Sequence, residues 1–277
     1  MRRLCFLSLL FAMSVLHSAC EEIPPQIGEC QTARVVLIEE FTGVRCVNCP
    51  AGSAKIEQLL AQYTGAKLIA VSIHAGFFSV PYPESVEDFT TEAGSDIDGL
   101  LGPVTAYPAA SVNRKLFPQE SQRPLSLASW AGYIASELCR EPLVDVVVSA
   151  AYDSTTRQIS ATISTSSRDA ATVFDAPLGL TLYLLEDGVR SAQLDENGVD
   201  TNYIHKHILR HCFTPSDGVL IHSGGDGTTL SPATRTYTFT LPAHMRAENC
   251  HLVGFTHYKG TNNRFDVLQA TEIALIE

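Results

Sequence analysis

Positive charge is scarce in this sequence. Nineteen Lys and Arg face 30 Asp and Glu, a formal net charge of −11 over 277 residues. A chain without a basic footprint has little grip on phosphate backbones, so no nucleic-acid partner is expected. Charge of either sign is sparse, at 18% of residues against 45% hydrophobic. That balance can bury a core and excludes disorder over most of the length. Beyond Leu16 no apolar run reaches the roughly 20 residues that a membrane-spanning helix needs. Tryptophan occurs once, as Trp130. The length allows two domains or one large β domain. Cysteine breaks the pattern of scarcity: there are eight, unusual for an ordinary cytosolic chain.

The N-terminus gives the compartment. Met1-Arg2-Arg3 is a short basic region, and Leu4 to Leu16 is an apolar run too short to span a bilayer but suited to a signal sequence. Leu16-His17-Ser18-Ala19-Cys20 follows. Small residues before a Cys resemble the lipobox of bacterial lipoproteins, which implies residues 1–19 as signal peptide and Cys20 as the lipidated first residue. An ordinary secretory cleavage nearby is the alternative. Glu21-Glu22-Ile23-Pro24-Pro25 then opens a tether, residues 20–30, in which the Pro pair resists helix. Loss of Arg2 and Arg3 with the signal makes the chain more acidic still. Direct grip on anionic headgroups is then not expected, and membrane contact falls to the lipid.

Arg34 to Phe41 is a run of β-formers ending in acids and reads as a buried strand. Cys46-Val47-Asn48-Cys49-Pro50 comes after a short turn, and Ala51 to Tyr63 has a helical apolar stripe. Pro50 suits the first helical turn, where its missing N–H costs nothing. The Cys-x-x-Cys therefore sits at a strand-to-helix junction. Unpaired N–H groups and the helix dipole stabilise a thiolate there, and Arg45 adds positive charge. Cys46 is expected to be the exposed, low-pKa nucleophile and Cys49 its resolving partner. Glu40, at the strand end, is the candidate proton acceptor. A static disulfide, or half of a zinc site, would use the same residues. Zinc needs further ligands, and no second close Cys pair exists.

Lys67 to Ala75 reads as the next strand, parallel to the first across a right-handed crossover. His74, near its end, either tunes Cys46 or serves the fold. Residues 77–101 read as an insertion with a short helix near Glu84 to Thr91. Tyr107 to Arg114 reads as a strand opened by Pro108, a candidate cis-Pro. Leu125 to Cys139 reads as a closing amphipathic helix.

This order resembles the thioredoxin fold. The resemblance puts Glu40 at the position of the buried acid, and Pro108 at that of the cis-Pro that packs on the disulfide and contacts bound thiols. The segments Glu39 to Pro50 and Asn202 to Arg210 further resemble the Omp28-related outer membrane proteins of Bacteroidetes. That implies an outer-membrane lipoprotein, facing the periplasm or the cell surface, in a family described mainly as surface or adhesin-like antigens. Two departures from ordinary thioredoxins weigh against fast general exchange. No Trp precedes Cys46, and the segment before Pro108 is long.

From Pro142 the texture changes to about seven strands separated by turns, which suggests an immunoglobulin-like antiparallel β-sandwich. The expected architecture is α/β plus all-β, with a thioredoxin-like domain over 31–141 and a β-sandwich over 142–277. Tyr203 to Cys212 reads as one strand, so His205, His207 and His211 would share a face. With no carboxylate fixed beside them, they are read as sheet-surface residues and no metal is expected. Asp195 to Gly198 misses calcium-loop spacing and reads as a hairpin turn. Disulfides are expected at Cys46–Cys49, Cys30–Cys139 and Cys212–Cys250, from three open connectivities for the last four cysteines.

Beside a weaker third reading, a metal-binding lipoprotein using the His strand, two functions remain. One is a lipid-anchored thiol–disulfide oxidoreductase acting on protein thiols or disulfides through Cys46, Cys49, Glu40 and Pro108. The other is a surface adhesion or binding protein in which the thioredoxin-like domain is a scaffold and no enzyme is present. Neither calls for a cofactor.

Overall fold

The computed structural model describes residues 32–225 and 227–276. The expectations for the signal, Cys20, the tether and Cys30 lie outside these residues. The chain opens with strand β1 (Val36–Thr42), helix α1 (Cys49–Gln62) and strand β2 (Leu68–His74). β1 and β2 are parallel, Val36 opposite Leu68 and Thr42 opposite His74. Both strands are buried along their whole length, which is why each reads as a run of β-formers without alternation. Cys49, Gly52, Ile56 and Leu59 form the buried face of α1, at spacings that return to one side of a helix.

The insertion folds differently from the expectation. No helix forms at Glu84–Thr91; helix α2 is Glu92–Leu101 instead. Thr91 caps it, its hydroxyl accepting a bond from the Gly94 N–H at 2.9 Å. The N-cap chemistry of Thr91 thus starts a helix where the sequence reading ended one. Strand β3 (Ala109–Val112) runs antiparallel to β1, and β4 (Leu125–Ser126) pairs with β3. Helix α3 (Trp130–Leu138) is shorter than the expected Leu125 start, because residues 125–129 form β4 and a 3-10 turn. The Trp130 indole N–H donates to the Leu125 carbonyl.

Ten further strands follow: β5 (Val144–Asp153), β6 (Gln158–Ser167), β7 (Leu178–Glu186), β8 (Val189–Asp195), β9 (Gly198–His205), β10 (Ile208–Cys212), β11 (Val219–His222), β12 (Ala233–Thr240), β13 (Cys250–Tyr258) and β14 (Val267–Ala274). The expected single strand Tyr203–Cys212 is two strands broken at Lys206-His207, where His207 has φ 55°. His207 thereby leaves the face it was expected to share with His205 and His211. Asp195 pairs with Gly198 across the expected hairpin turn.

The two halves of the chain share one sheet. Its order is β14-β13-β7-β10-β2-β1-β3-β4, with β11 also on β7. The join is parallel pairing of β10 with β2 at Ile208 and Ser72. Helices α1 and α3 cover β1–β3 on one face through Val36, Ile38, Ile56, Leu59, Trp130 and Ile134. Helix α2 covers the other through Ile97 and Leu101. The sheet β12-β6-β5 packs through Val144, Ile159 and Ile163 onto Leu180, Leu182 and Leu252. The hairpin β8–β9 is a separate two-stranded sheet. Among the described residues no helix is long and apolar enough to cross a membrane.

Cys212 and Cys250 are free thiols, so the expected bridge between them is absent. Strands β10 and β13 lie on opposite sides of β7, with Cys212 opposite Tyr183 and Cys250 opposite Glu186. Two strand spacings alone separate them by about 9.5 Å, beyond the roughly 7 Å that a disulfide spans. Cys139 is disulfide-bonded.

Candidate functional site

Cys46 and Cys49 are joined by a disulfide, their Cα atoms 5.3 Å apart. The strand-to-helix junction builds the site. β1 delivers Glu40 and Thr42, a turn carries Cys46, and α1 starts at Cys49 with Pro50 in its first turn. The Cys49 N–H bonds the Cys46 carbonyl at 3.2 Å. The Tyr107–Pro108 bond is cis.

Glu40 lies beneath this helix start and is fully buried. Its Oε2 accepts a long bond from the Ser72 hydroxyl at 3.4 Å, while Oε1 has no hydrogen-bond partner among the described residues. Burial without a cation pushes its pKa up to about 8, because desolvation penalises the charged form. A carboxyl in that state is mostly protonated at neutral pH and can give or take a proton there. Gly52 keeps the place open. A β-carbon on it would lie 2.4 Å from Glu40 Oε1 and 2.8 Å from the Pro108 ring. Glu40, the helix start and Pro108 therefore converge.

Cys46 is not exposed as the sequence suggested. Cys46 is only 3% accessible and Cys49 1%. Two sets of contacts hold the loop that carries Cys46. Arg45 is drawn into the insertion, where its guanidinium donates to the Val80 and Pro81 carbonyls and stacks on Tyr82. The other set comes from the β8–β9 hairpin. Gln193 Nε2 reaches the Cys46 carbonyl at 3.1 Å and the Gly43 carbonyl at 3.3 Å, and the Leu194 N–H donates to the Val44 carbonyl at 2.8 Å.

A cavity of about 330 Å³ lies beside Glu40 and the start of α1, lined among others by Glu40, Pro50, Ser72, His74, Gln193, Tyr203 and His205. His74 and His205 are buried, with ring centroids 5.7 Å apart. Burial holds His74 well below the usual imidazole range and His205 down to about 4. His205 Nε2 has no hydrogen-bond partner among the described residues. The part lined by Glu40, His74 and His205 is thus polar but carries little charge at neutral pH, while the ion-paired Glu57 and Lys206 also line the cavity. His207 stands at the rim, its Nε2 3.0 Å from Glu57 Oε1. His211 lies elsewhere, stacked on Phe239 at 4.2 Å. Among the described residues no group of three or more His, Cys, Asp or Glu is placed to hold a metal.

Sequence reasoning missed Gln193, Ser72 and Tyr203. The alternation in Val189–Asp195 before the Asp195–Gly198 turn could have shown the hairpin. Nothing in it shows that the hairpin lies on Cys46.

The overall architecture has a solved counterpart. HBP35 of Porphyromonas gingivalis aligns with a TM-score of 0.67 at 18% identity, covering 88% of this chain and 76% of that one. This defines a shared β-rich mixed fold. A domain of the outer membrane lipoprotein Omp28 from Porphyromonas gingivalis aligns over 48% of this chain and 88% of that one, at 19% identity and a TM-score of 0.32. No curated protein matches. Residues 103–275 match the family model described as outer membrane protein Omp28. The chain belongs to the Omp28 outer membrane protein family.

Proposed function

We propose that this Omp28-family protein is a lipid-anchored thiol–disulfide exchanger of the outer membrane, tethered through Cys20. In this reading residues 31–141 are a thioredoxin-like domain and residues 142–277 an immunoglobulin-like sandwich docked onto it through the shared sheet. The observation that carries the reading is the placement of Glu40. A buried, unpaired carboxyl under a helix-start disulfide is costly for stability alone, and its position suits proton transfer.

In the reduced protein the Cys46 thiolate attacks one sulfur of a substrate disulfide, and that substrate's other sulfur leaves as a thiol. Cys49 then attacks Cys46 Sγ. The mixed disulfide breaks, the second substrate thiol leaves, and the Cys46–Cys49 bond forms. Two electrons pass from the cysteine pair to the substrate. Glu40 takes the Cys49 proton and returns it when the bond is next opened. Pro108 forms the wall beside the pair.

The burial of both sulfurs favours a second reading, a surface adhesion or binding protein that uses the disulfide as a fixed brace. The reduction potential of Cys46–Cys49 in the full chain separates the two. A value near those of thioredoxin or protein disulfide isomerase, about −270 to −180 mV, supports exchange. A value below about −300 mV marks a structural bond and sinks the exchanger. Protease shaving of intact cells reads which side of the membrane the protein faces.

A further inference from the structure

Of the two elements held against the Cys46–Cys49 loop, one is small and separate, the hairpin β8–β9, bound through Gln193 and Leu194. Among the described residues hairpin β8–β9 shares no strand ladder with any other strand. Its foot is well held. The Asp187 carboxylate accepts from the His207 N–H, tying its two ends together. Val189 packs with Val44, Phe89 and Ile208, and the His205 ring sits 4.8 Å from that of Phe89. Ser191 Oγ accepts from the Val86 N–H at 3.1 Å.

Its tip is different. The register is broken between Ser191, opposite Tyr203, and Gln193, opposite Asp200. A bulge of this kind bends a ribbon and re-aims the next side chain. Here it turns Gln193 down onto the cysteine loop. Beyond it, Glu196, Asn197, Val199 and Asp200 are exposed, and only Gln193 is fully buried. The tip is clasped by the Gln193 amide and by the Leu194 N–H on Val44. The amide has two hydrogens, shared among the carbonyls of Gly43, Cys46 and Leu194. Few apolar contacts and a handful of exchangeable hydrogen bonds are what a low-stability, locally opening segment looks like.

We propose that the hairpin tip, residues 193–200, is a cover that pivots at the bulge to expose Cys46 while the foot stays packed, so that access to the disulfide is set by the Gln193 clasp. The proposal rests on the exchange reading for its use, but the cover itself is a matter of access. Gating of this kind places the moving residues away from the chemistry and the hinge at an irregular backbone position.

The test uses the full chain and dithiothreitol as the probe. One dithiothreitol thiolate attacks Cys46 Sγ, the Cys46–Cys49 bond breaks, and Cys49 leaves as a thiolate that takes a proton. The second dithiothreitol thiol then displaces Cys46 and closes a cyclic disulfide. The pair gains two electrons and two protons, and dithiothreitol loses them. Rates are read by mass spectrometry after alkylation of the new thiols. Gln193→Ala removes the amide donor. Gln193→Glu sets a carboxylate against carbonyl oxygens. Both are expected to speed reduction by about five- to tenfold, the effect of losing roughly one net hydrogen bond. Asn197→Ala, at the turn, should leave the rate unchanged.

Equal rates in wild type, Gln193→Ala and Gln193→Glu would overturn the cover. Amide hydrogen exchange of the unaltered chain gives a second reading that needs no variant. The Leu194 amide should exchange at least about a hundredfold faster than amides in β7, whose opening requires global unfolding. Protection of Leu194 equal to that of β7 also overturns the proposal. Failure of the exchange reading looks different: accelerated reduction in the variants, but with the potential of a structural bond.

Discussion

Glu40 Oε1 occupies the space that a side chain on Gly52 would need: a β-carbon at position 52 would come within 2.4 Å of it. Mid-helix, Ala is ordinarily better than Gly by about 1 kcal/mol. The new carbon also falls 2.8 Å from the Pro108 ring, which cannot swing aside. Overpacking costs about 1–3 kcal/mol and outweighs the helix gain. Gly52→Ala is expected to lower the urea midpoint, and a midpoint at or above wild type would show that Glu40 can move freely.

Glu40 also makes stability depend on pH. Its carboxyl titrates near 4.5 in an unfolded chain and near 8 in the folded one. Between those values the folded state binds the extra proton, so stability falls as pH rises through that window and levels off above it. The shift corresponds to a few kcal/mol at about 1.4 kcal/mol per pH unit. Glu40→Gln keeps the shape and removes the titration. The variant should match wild type near pH 4.5 and exceed it in stability at pH 8.5. Urea melts at the two values check this, and parallel curves for the two proteins would refute it.

The Arg114–Glu39 pair of the first half meets the second half at Tyr183. The guanidinium meets Glu39 at 2.8 Å and 2.9 Å and also donates to the Tyr183 hydroxyl of β7, with both charged side chains fully buried. Removing one partner strands a buried charge, at about 3–5 kcal/mol. Arg114→Ala should therefore lose much more stability than the double variant Arg114→Met with Glu39→Leu. A double-mutant cycle by chemical denaturation reads the difference. A loss in the double variant equal to the sum of the single Arg114→Met and Glu39→Leu losses would mean that the pair is not coupled.

Peptide mapping without reductant should recover Cys212 and Cys250 as unlinked thiols and Cys46–Cys49 as a closed pair. Both free thiols are buried enough to resist ionisation, and burial pushes Cys250 up to about 12. In the native chain they should alkylate slowly at pH 8, and rapidly after unfolding. A peptide linking Cys212 to Cys250 would contradict the strand order on either side of β7.

Much of the local structure was legible. The run from Arg34, the stripe on Ile56 and Leu59, and the turn at Asp195–Gly198 each express a short-range rule, an unbroken run of β-formers, helical period or turn chemistry, that holds wherever the segment sits. Where the reading failed, a local signal was weaker than a neighbour's. Thr91 capped the following residues rather than closing the preceding ones. His207, in a left-handed conformation, split an apparently continuous strand.

The sequence by itself determined a Cys-x-x-Cys at a strand-to-helix junction, an acid six residues before it and an acidic, core-forming chain with a β-rich second half. Only the tertiary structure decided that the two halves share a sheet, that Cys212 and Cys250 stay apart, and that Cys46 is covered. The contact that covers it joins Gln193 to a carbonyl 147 residues away. Pairings at that distance depend on which strands become neighbours, and strand order is set by packing of the whole chain rather than by any pattern within a segment.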